Sequence, residues 1–460
     1  MKLTRHQEGS IRELLRIGLP LMLSSLSIML MIFVDRWYLA QYSTRALNAT
    51  VNSSTLGWAF VCGWLMLGQI SEVFVSQHNG ANEKDKLGLF VWQNLWLGVM
   101  SFAFFIPLIV WGVDWFYPGA NQTYEREYLN VILMFGPVYC FYGALSGFFI
   151  GQGKAMIVTT FAVGANLINI VLDRIFIFGV EGWVPSMGVQ GAALATNIGT
   201  VFESIGLFVL FLSKDNRTQC RTNDYSFRLP YLIRILKVGL PRAIFVSLEM
   251  FGFAAYYQLM SGAGEVYITV AGICQSMVIL FSFIIEGMGN AAIAIAGNYI
   301  GAKKFWAIRR LVASGLKFLF GFLLVFLAVF IFGKEIFINQ FLPDVSPGYL
   351  MAIHDTLTFC LFIMVFYTFF RGVQLLFAGV LTAAGDTFFL FAIGTLSVWG
   401  LYVLPTYLVL FWLKGSVEAA TFVNLGFICC FGMITMLRYF QGGWQLITIR
   451  DTGKFGKETS

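Results

Sequence analysis

Charged residues arrive along this chain in short bursts, between apolar runs long enough to cross a bilayer, which takes roughly 20 mostly apolar residues per helix. These runs predict helices near residues 14–40, 50–76, 88–112, 128–150, 156–179, 188–213, 232–260, 266–299, 311–333, 350–381, 387–413 and 416–440. The pattern is that of an all-α polytopic membrane protein with twelve transmembrane helices. The first run is too long for the core of a secretory leader and has no small-residue cleavage site, so it is read as the first spanning helix.

Composition agrees: 58% of the 460 residues are hydrophobic and 12% charged, against about 25% charged in an ordinary soluble domain. The net charge of +6 is spread over loops and does not form one basic face, so nucleic acid is not a partner; the lipid bilayer is. If the chain starts on the side of its first loop, that side carries twenty-one Lys and Arg residues. The other side carries four: Arg45, Arg126, Lys334 and Lys414. Positive loops stay inside, which places both termini in the cytoplasm of a plasma membrane, a bacterial inner membrane, and requires an even number of helices.

An internal repeat sets the organisation. "LRIGLP" at 15–20 returns as "LKVGLP" at 236–241, and Gly80 and Ala81 return as Gly301 and Ala302 at the same offset of 221 residues. "GVQGAA" at 188–193 then faces "SVEAAT" at 416–421 with an offset of 228, so the second copy carries a few extra loop residues. The expected units are an N-lobe over 1–213, a cytoplasmic linker over 214–231, a C-lobe over 232–440 and a cytoplasmic tail over 441–460. Six helices per copy leave both in one orientation, a parallel repeat of the kind that secondary transporters place around a central site.

Ionisable residues inside spans cost roughly 2.5 to 3.5 kcal/mol each on insertion scales, and each is a candidate site. Asp35 lies 19 residues beyond Arg16, and Asp173 lies 19 beyond Lys154. At 1.5 Å per residue both carboxyls stand about 28 Å along their helices, at matching depth. Asn166, Asn169 and Asp173, spaced i, i+3, i+7, share one face, and Thr196 follows in the small-residue stretch "GAALATNIG". Oxygens of Asp35, Asn169, Asp173 and Thr196 can wrap Na+; alternatively, two close carboxyls can share a proton. Arg36, about 100° around its helix from Asp35, is expected at the outer interface, where long side chains snorkel.

Glu249 and Glu286 fall deep in their spans and need a partner or water, whereas Glu72 and Glu203 are expected near the inner interface. Pro20 and Pro241 occupy equivalent places in the two copies and each removes one helix hydrogen bond, favouring a bend. The seven cysteines have no paired metal-site spacing, and the three histidines are placed in flanks or loops, so neither a metal centre nor a histidine nucleophile is expected. No phosphate-binding G-x-x-x-x-G-K-[ST] loop, dinucleotide fingerprint, H-E-x-x-H or G-x-S-x-G is present. The chain is therefore not read as an enzyme; it needs no cofactor, an ion gradient is the remaining source of energy, and no obligate protein partner is evident.

The ordered set "GLPLMLSSL…FVDRWYLAQ", "VSQHNGA", "NLINIVLDRIFIFG", "MGVQGAALATNIG", "GLP…E" and "GVLTAAGDT" resembles the multidrug and toxic compound extrusion family over residues 10–440. The resemblance implies two pseudo-symmetric six-helix lobes around a cavity, and export of amphipathic, often cationic organic compounds in exchange for Na+ or H+. It implies a cation site at Asp35, Asn169, Asp173 and Thr196, a coupling bend at Pro20 and a C-lobe acid at Glu249. Where family members with a C-lobe cation site carry a helix-ten acid sixteen residues before the threonine of "DT", this chain has Arg371 before Thr387. Arg371 is thus expected to pair with Glu249 in place of the cation. The alternatives are a flippase for lipid-linked glycans, which calls for a more basic cavity, and an ion-conducting channel; an acyltransferase would need an intramembrane His with an acid partner.

Overall fold

The computed structural model describes residues 3–119, 122–341, 347–447 and 449, and no side chain is described at 336, 337 or 339–352. Apart from one isolated bridge between Val180 and Val184, the described residues form helices and their connections. Eleven are long and apolar enough to cross a membrane, and a bent pair completes twelve. In chain order they are α1 (Ile11–Tyr42), α2 (Thr44–Gly80), α3 (Lys84–Phe116), α4 (Thr123–Met134 and Gly136–Gly151, bent by 42°), α5 (Ala155–Phe178) and α6 (Gly188–Phe211). After a linker come α7 (Leu229–Ala263), α8 (Glu265–Gly301), α9 (Phe305–Phe341), α10 (Pro347–Ala384), α11 (Thr387–Trp412) and α12 (Val417–Gln441). The helices overrun the apolar runs at several ends because polar caps extend them. Ser10, Ser43 and Ser416 each accept a backbone N–H of the first turn, and Gly442 ends α12 in the left-handed conformation that glycine adopts at least cost.

The packing repeats with the sequence. In the N-lobe α1 packs on α5, α2 on α4, and α6 on α4 and α5; in the C-lobe α7 packs on α11, α8 on α10, and α12 on α10 and α11. Between lobes α1 meets α8 and α2 meets α7, the same contact made twice, and α2 meets α8 on the axis.

That axis is built from the repeated glycines. A Cβ on Gly80 would stand 1.9 Å from the carbonyl oxygen of Asn298, and one on Gly301 would stand 1.9 Å from that of Gln77. Gln77 and Asn298 are themselves 221 residues apart. Gln77 Nε2 donates across the seam to the Ala383 carbonyl at the end of α10 (2.7 Å), and Asn298 Nδ2 donates to the Gly151 carbonyl at the end of α4 (2.8 Å). Asn79 Nδ2 also donates to Asn298 Oδ1 (2.7 Å). The amino-terminal segment strengthens the closure: Lys304 pairs with Glu8 (2.6 Å), Ser314 donates to the Gly9 carbonyl (2.7 Å), and the Tyr299 hydroxyl donates to Glu13. The cleft between lobes is therefore closed at the end bearing the basic loops.

The linker is held as well. Trp92 Nε1 donates to the Thr222 carbonyl (2.8 Å), Gln93 Nε2 to that of Ser226 (2.9 Å) and Trp96 Nε1 to that of Tyr225 (3.0 Å), so α3 carries it as a strap. Within it the Ser226 hydroxyl, donating to Asp224, holds that carboxyl below the usual carboxylate range.

Three placements differ from the sequence reading. Glu72 and Glu203 are buried, 4% and 9% exposed, not interfacial, because α2 is gripped inside the seam and α6 turns this face into the N-lobe. His78 lies within α2 and is 1% exposed, not in a loop. Among the cysteines, Cys430 is exposed.

A test of the seam follows from its geometry. Gly301→Ala or Gly80→Ala must push backbone aside and should cost about 1–3 kcal/mol as overpacking, read as a lower midpoint of thermal unfolding in detergent. Gly272→Ala, with nothing within 4 Å of its added methyl, should leave the midpoint unchanged or raise it.

Candidate functional site

Close approach of α5 and α6 makes the N-lobe site. A Cβ on Gly191 would stand 2.6 Å from the Phe176 backbone, and one on Gly199 would stand 3.2 Å from the Ala165 carbonyl, so the "GAALATNIG" stretch lets α6 lie directly on α5. Asn169 and Asp173, both 0% exposed, then face α6 and α1. Asn169 Nδ2 donates to Thr196 Oγ1 (3.2 Å), and the Thr196 hydroxyl is shared between Asp35 Oδ2 (3.4 Å) and the Ala192 carbonyl (3.1 Å). The Asp35 and Asp173 carboxyls interact side chain to side chain. The structure thus brings Asp35, Asn169, Asp173 and Thr196 into one cluster.

Its donors do not match its acceptors. Asp35 Oδ1, Asn169 Oδ1 and both oxygens of Asp173 are buried with no protein hydrogen-bond partner. Buried acceptors in native structures almost always have partners, and leaving one unmade costs about 1–3 kcal/mol. Four acceptor atoms from two carboxyls and an amide, with no protein donor, call for a donor or charge from outside the protein, which a cation, a proton or water can supply. Arg36 and Arg174 make no ion pair with the aspartates: both are exposed, Arg36 acts on Asp35 through its field alone, and Arg174 stacks over Phe178 at 4.3 Å. Tyr128 and Tyr139 of α4, 9% and 7% exposed, close the cluster on the remaining side. Sequence reading missed them, since one chain does not show which face of α4 turns inward.

A polar column runs from the cluster to Pro20. Asn166 Nδ2 donates to Ser27 Oγ (2.7 Å), Ser24 Oγ to Thr159 Oγ1 (2.9 Å), and Thr159 Oγ1 to the Pro20 carbonyl (2.7 Å). The proline thus lies in a hydrogen-bonded register with α5 inside an uninterrupted α1, and Pro241 lies likewise within an uninterrupted α7.

In the C-lobe Arg371 Nη1 stands 2.9 Å from Glu249 Oε1 and 3.2 Å from Gln374 Oε1. Glu249 is 4% exposed, whereas Glu286 on α8 is exposed, lining open space within electrostatic reach of Arg371. Two carboxylates around one guanidinium leave a net charge of −1. Thr387 is not part of this group: its hydroxyl donates to the Val238 carbonyl (2.6 Å). At the seam, Arg242 of α7 faces Glu72 of α2; Arg242 Nη1 and Glu72 Oε1 are buried without protein hydrogen-bond partners.

Two repeated six-helix lobes, closed at one end and carrying buried acids in their cores, define a polytopic membrane protein of the transporter class. The MatE family model matches residues 20–175 and 241–408, one segment per lobe and each beginning at the repeated proline. The chain belongs to the MatE family, whose members are transporters and not enzymes in the usual sense. It is 24% identical over 461 residues to a probable multidrug resistance protein NorM of Pseudomonas putida, covering 98% of this chain and 97% of that one. A protein of the same description from Xylella fastidiosa is 26% identical over 412 residues, with coverage of 85% and 84%. Among solved structures, a MOP-superfamily transporter from Pyrococcus furiosus superposes with a TM-score of 0.85 at 18% identity, covering 97% of this chain and 100% of that one. An outward-facing multidrug resistance MATE family transporter superposes with a TM-score of 0.82 at 19% identity, covering 96% and 98%.

The Glu249–Arg371 pair gives a stability test. Arg371→Ala leaves a buried carboxylate unmatched and should lower stability by about 3–5 kcal/mol in thermal or chemical unfolding. Adding Glu249→Gln to Arg371→Met should recover most of the loss, because neither charge then remains.

Proposed function

We propose that this protein is a secondary active exporter of amphipathic, cationic organic compounds, working by alternating access in antiport with Na+ or H+. The observation that carries the reading is the set of four orphaned acceptors on Asp35, Asn169 and Asp173. A site rich in acceptors and poor in donors suits a cation, and a cation's occupancy of it can be coupled to a gradient. Thr196, held in turn by Asn169, orients the Asp35 carboxyl, and the hydroxyl column to Pro20 offers a route by which the charge state of the pair acts on α1. Where Na+ is the ion, Asp35, Asn169 and Asp173 would hold it.

The C-lobe serves substrate in this reading. Glu286 is exposed within electrostatic reach of Arg371 and Glu249, and the formal charge of the three groups, −1, favours a cationic guest. The basic-loop end is assigned to the cytoplasm of the inner membrane, with both termini there, so the closed seam makes this an outward-facing form. Relatives described as multidrug resistance proteins support the same substrate class. A glycan flippase is disfavoured because each inward arginine faces a glutamate, Arg371 with Glu249 and Arg242 with Glu72, leaving no surplus positive charge for a pyrophosphate. An open channel is disfavoured by the closed seam.

The test is transport by the full-length protein in proteoliposomes, with ethidium as the amphipathic cation and a Na+ or H+ gradient imposed. Asp35→Asn and Asp173→Asn should each slow gradient-driven ethidium movement at least tenfold; if both variants keep the wild-type rate, the coupling site lies elsewhere.

A further inference from the structure

Glu203 on α6 is not used by the site above. It is 9% exposed, and among the described residues it makes no ion pair and no hydrogen bond. Its position is not arbitrary. Thr196, Thr200 and Glu203, spaced i, i+4, i+7, share one face of α6, so Glu203 stands about 10 Å along the helix from the Asp35–Asp173 cluster toward the linker end. Between them on that face is the Thr200 hydroxyl, which donates to the Thr196 carbonyl (3.2 Å), while Ser204, next to Glu203, donates to the Thr200 carbonyl (2.8 Å). Tyr139 of α4 interacts with the Thr200 side chain and lies in the electrostatic field of both Asp35 and Glu203. Tyr139 and Tyr142 are the titratable groups that face Glu203 from α4, and no lysine or arginine among the described residues neutralises it.

We propose that Glu203 is a second proton-carrying carboxyl of the N-lobe, an inner station that takes the proton released by the Asp35–Asp173 pair. The inference rests on the coupling reading above and narrows it to H+. A lone carboxylate beside phenols and hydroxyls can carry a proton, whereas a hard cation is usually held by about six oxygens. In the step, the O–H bond of the shared proton on the aspartate pair breaks and an O–H bond forms on Glu203. The pair becomes fully ionised, Glu203 becomes neutral, and no electron or co-reactant is involved. The Thr200 and Tyr139 hydroxyls, each able to accept and donate, stand within that interval of about 10 Å.

The test uses the full-length protein. Wild type, Glu203→Gln, Glu203→Asp, Asp35→Asn and Asp173→Asn are compared for ethidium transport driven by a pH gradient in proteoliposomes. Proton release on ethidium binding is followed in detergent with a pH-sensitive dye. Glu203→Gln should slow transport at least tenfold and reduce the protons released per ethidium bound, with ethidium affinity changed less than twofold. Glu203→Asp, which keeps a carboxyl, should retain transport within about threefold of wild type, separating loss of the acid from loss of the fold. Wild-type transport and proton release in Glu203→Gln would overturn the proposal, as would slowed transport with unchanged proton release. If the two aspartate variants lose transport while Glu203→Gln keeps it, the inner station alone fails. If the aspartate variants keep it, the coupling reading fails and the inner station with it.

Discussion

Two carboxyl groups held against each other in the interior of a membrane protein are the constraint on which this structure turns. Each is costly to ionise away from water, and each makes the other harder to ionise. The surroundings of Asp35 and Asp173 leave that cost unresolved: Thr196, itself held by Asn169, gives Asp35 one long hydrogen bond, Asp173 receives none from the protein, and neither aspartate has an ion pair among the described residues. The C-lobe treats the equivalent difficulty differently. There Arg371 lies 2.9 Å from Glu249 and supplies its counter-charge within the protein. One lobe thus carries a fixed internal counter-charge, and the other carries two carboxyls with no ion pair among the described residues.

The repeat explains how such a difference can exist inside a symmetric frame. Gly80 and Gly301 let backbones meet at the axis, and Gln77 and Asn298 each reach across to a carbonyl of the opposite lobe. The contact is made twice, so a movement that releases one half of the seam strains the other in the same way, and the lobes are set up to move as units. Substituted side chains in the lobe cores leave this frame untouched, which is why Arg371 can replace an acid without a change of fold.

Much of this was legible in the chain. Asp35 and Asp173 were placed at one depth by their equal spacing from Arg16 and Lys154, and the i, i+3, i+7 pattern put Asn169 beside Asp173 on one face. The pairing of Arg371 with Glu249 was expected from the family resemblance, which puts Arg371 where an acid is the rule, and the two groups meet at 2.9 Å. Glu72, Glu203 and His78 were misplaced because distance from the end of an apolar run gives depth along a helix, not whether another helix covers that face. Tyr128 and Tyr139 gave no signal, since an aromatic residue in a membrane helix faces lipid as readily as a cavity.

The sequence by itself therefore determined the twelve spans, the duplication and the depth of each charge, since these depend on hydrophobic length and on one-dimensional spacing. The tertiary structure alone decided which charges meet. Whether Thr196 reaches Asp35, whether Glu72 faces Arg242, and whether Glu203 is left without a partner depend on how closely α5 lies on α6 and α2 on α7. Those distances are set by glycines packing against backbone across helices far apart in the chain, a three-dimensional fit that no local pattern encodes.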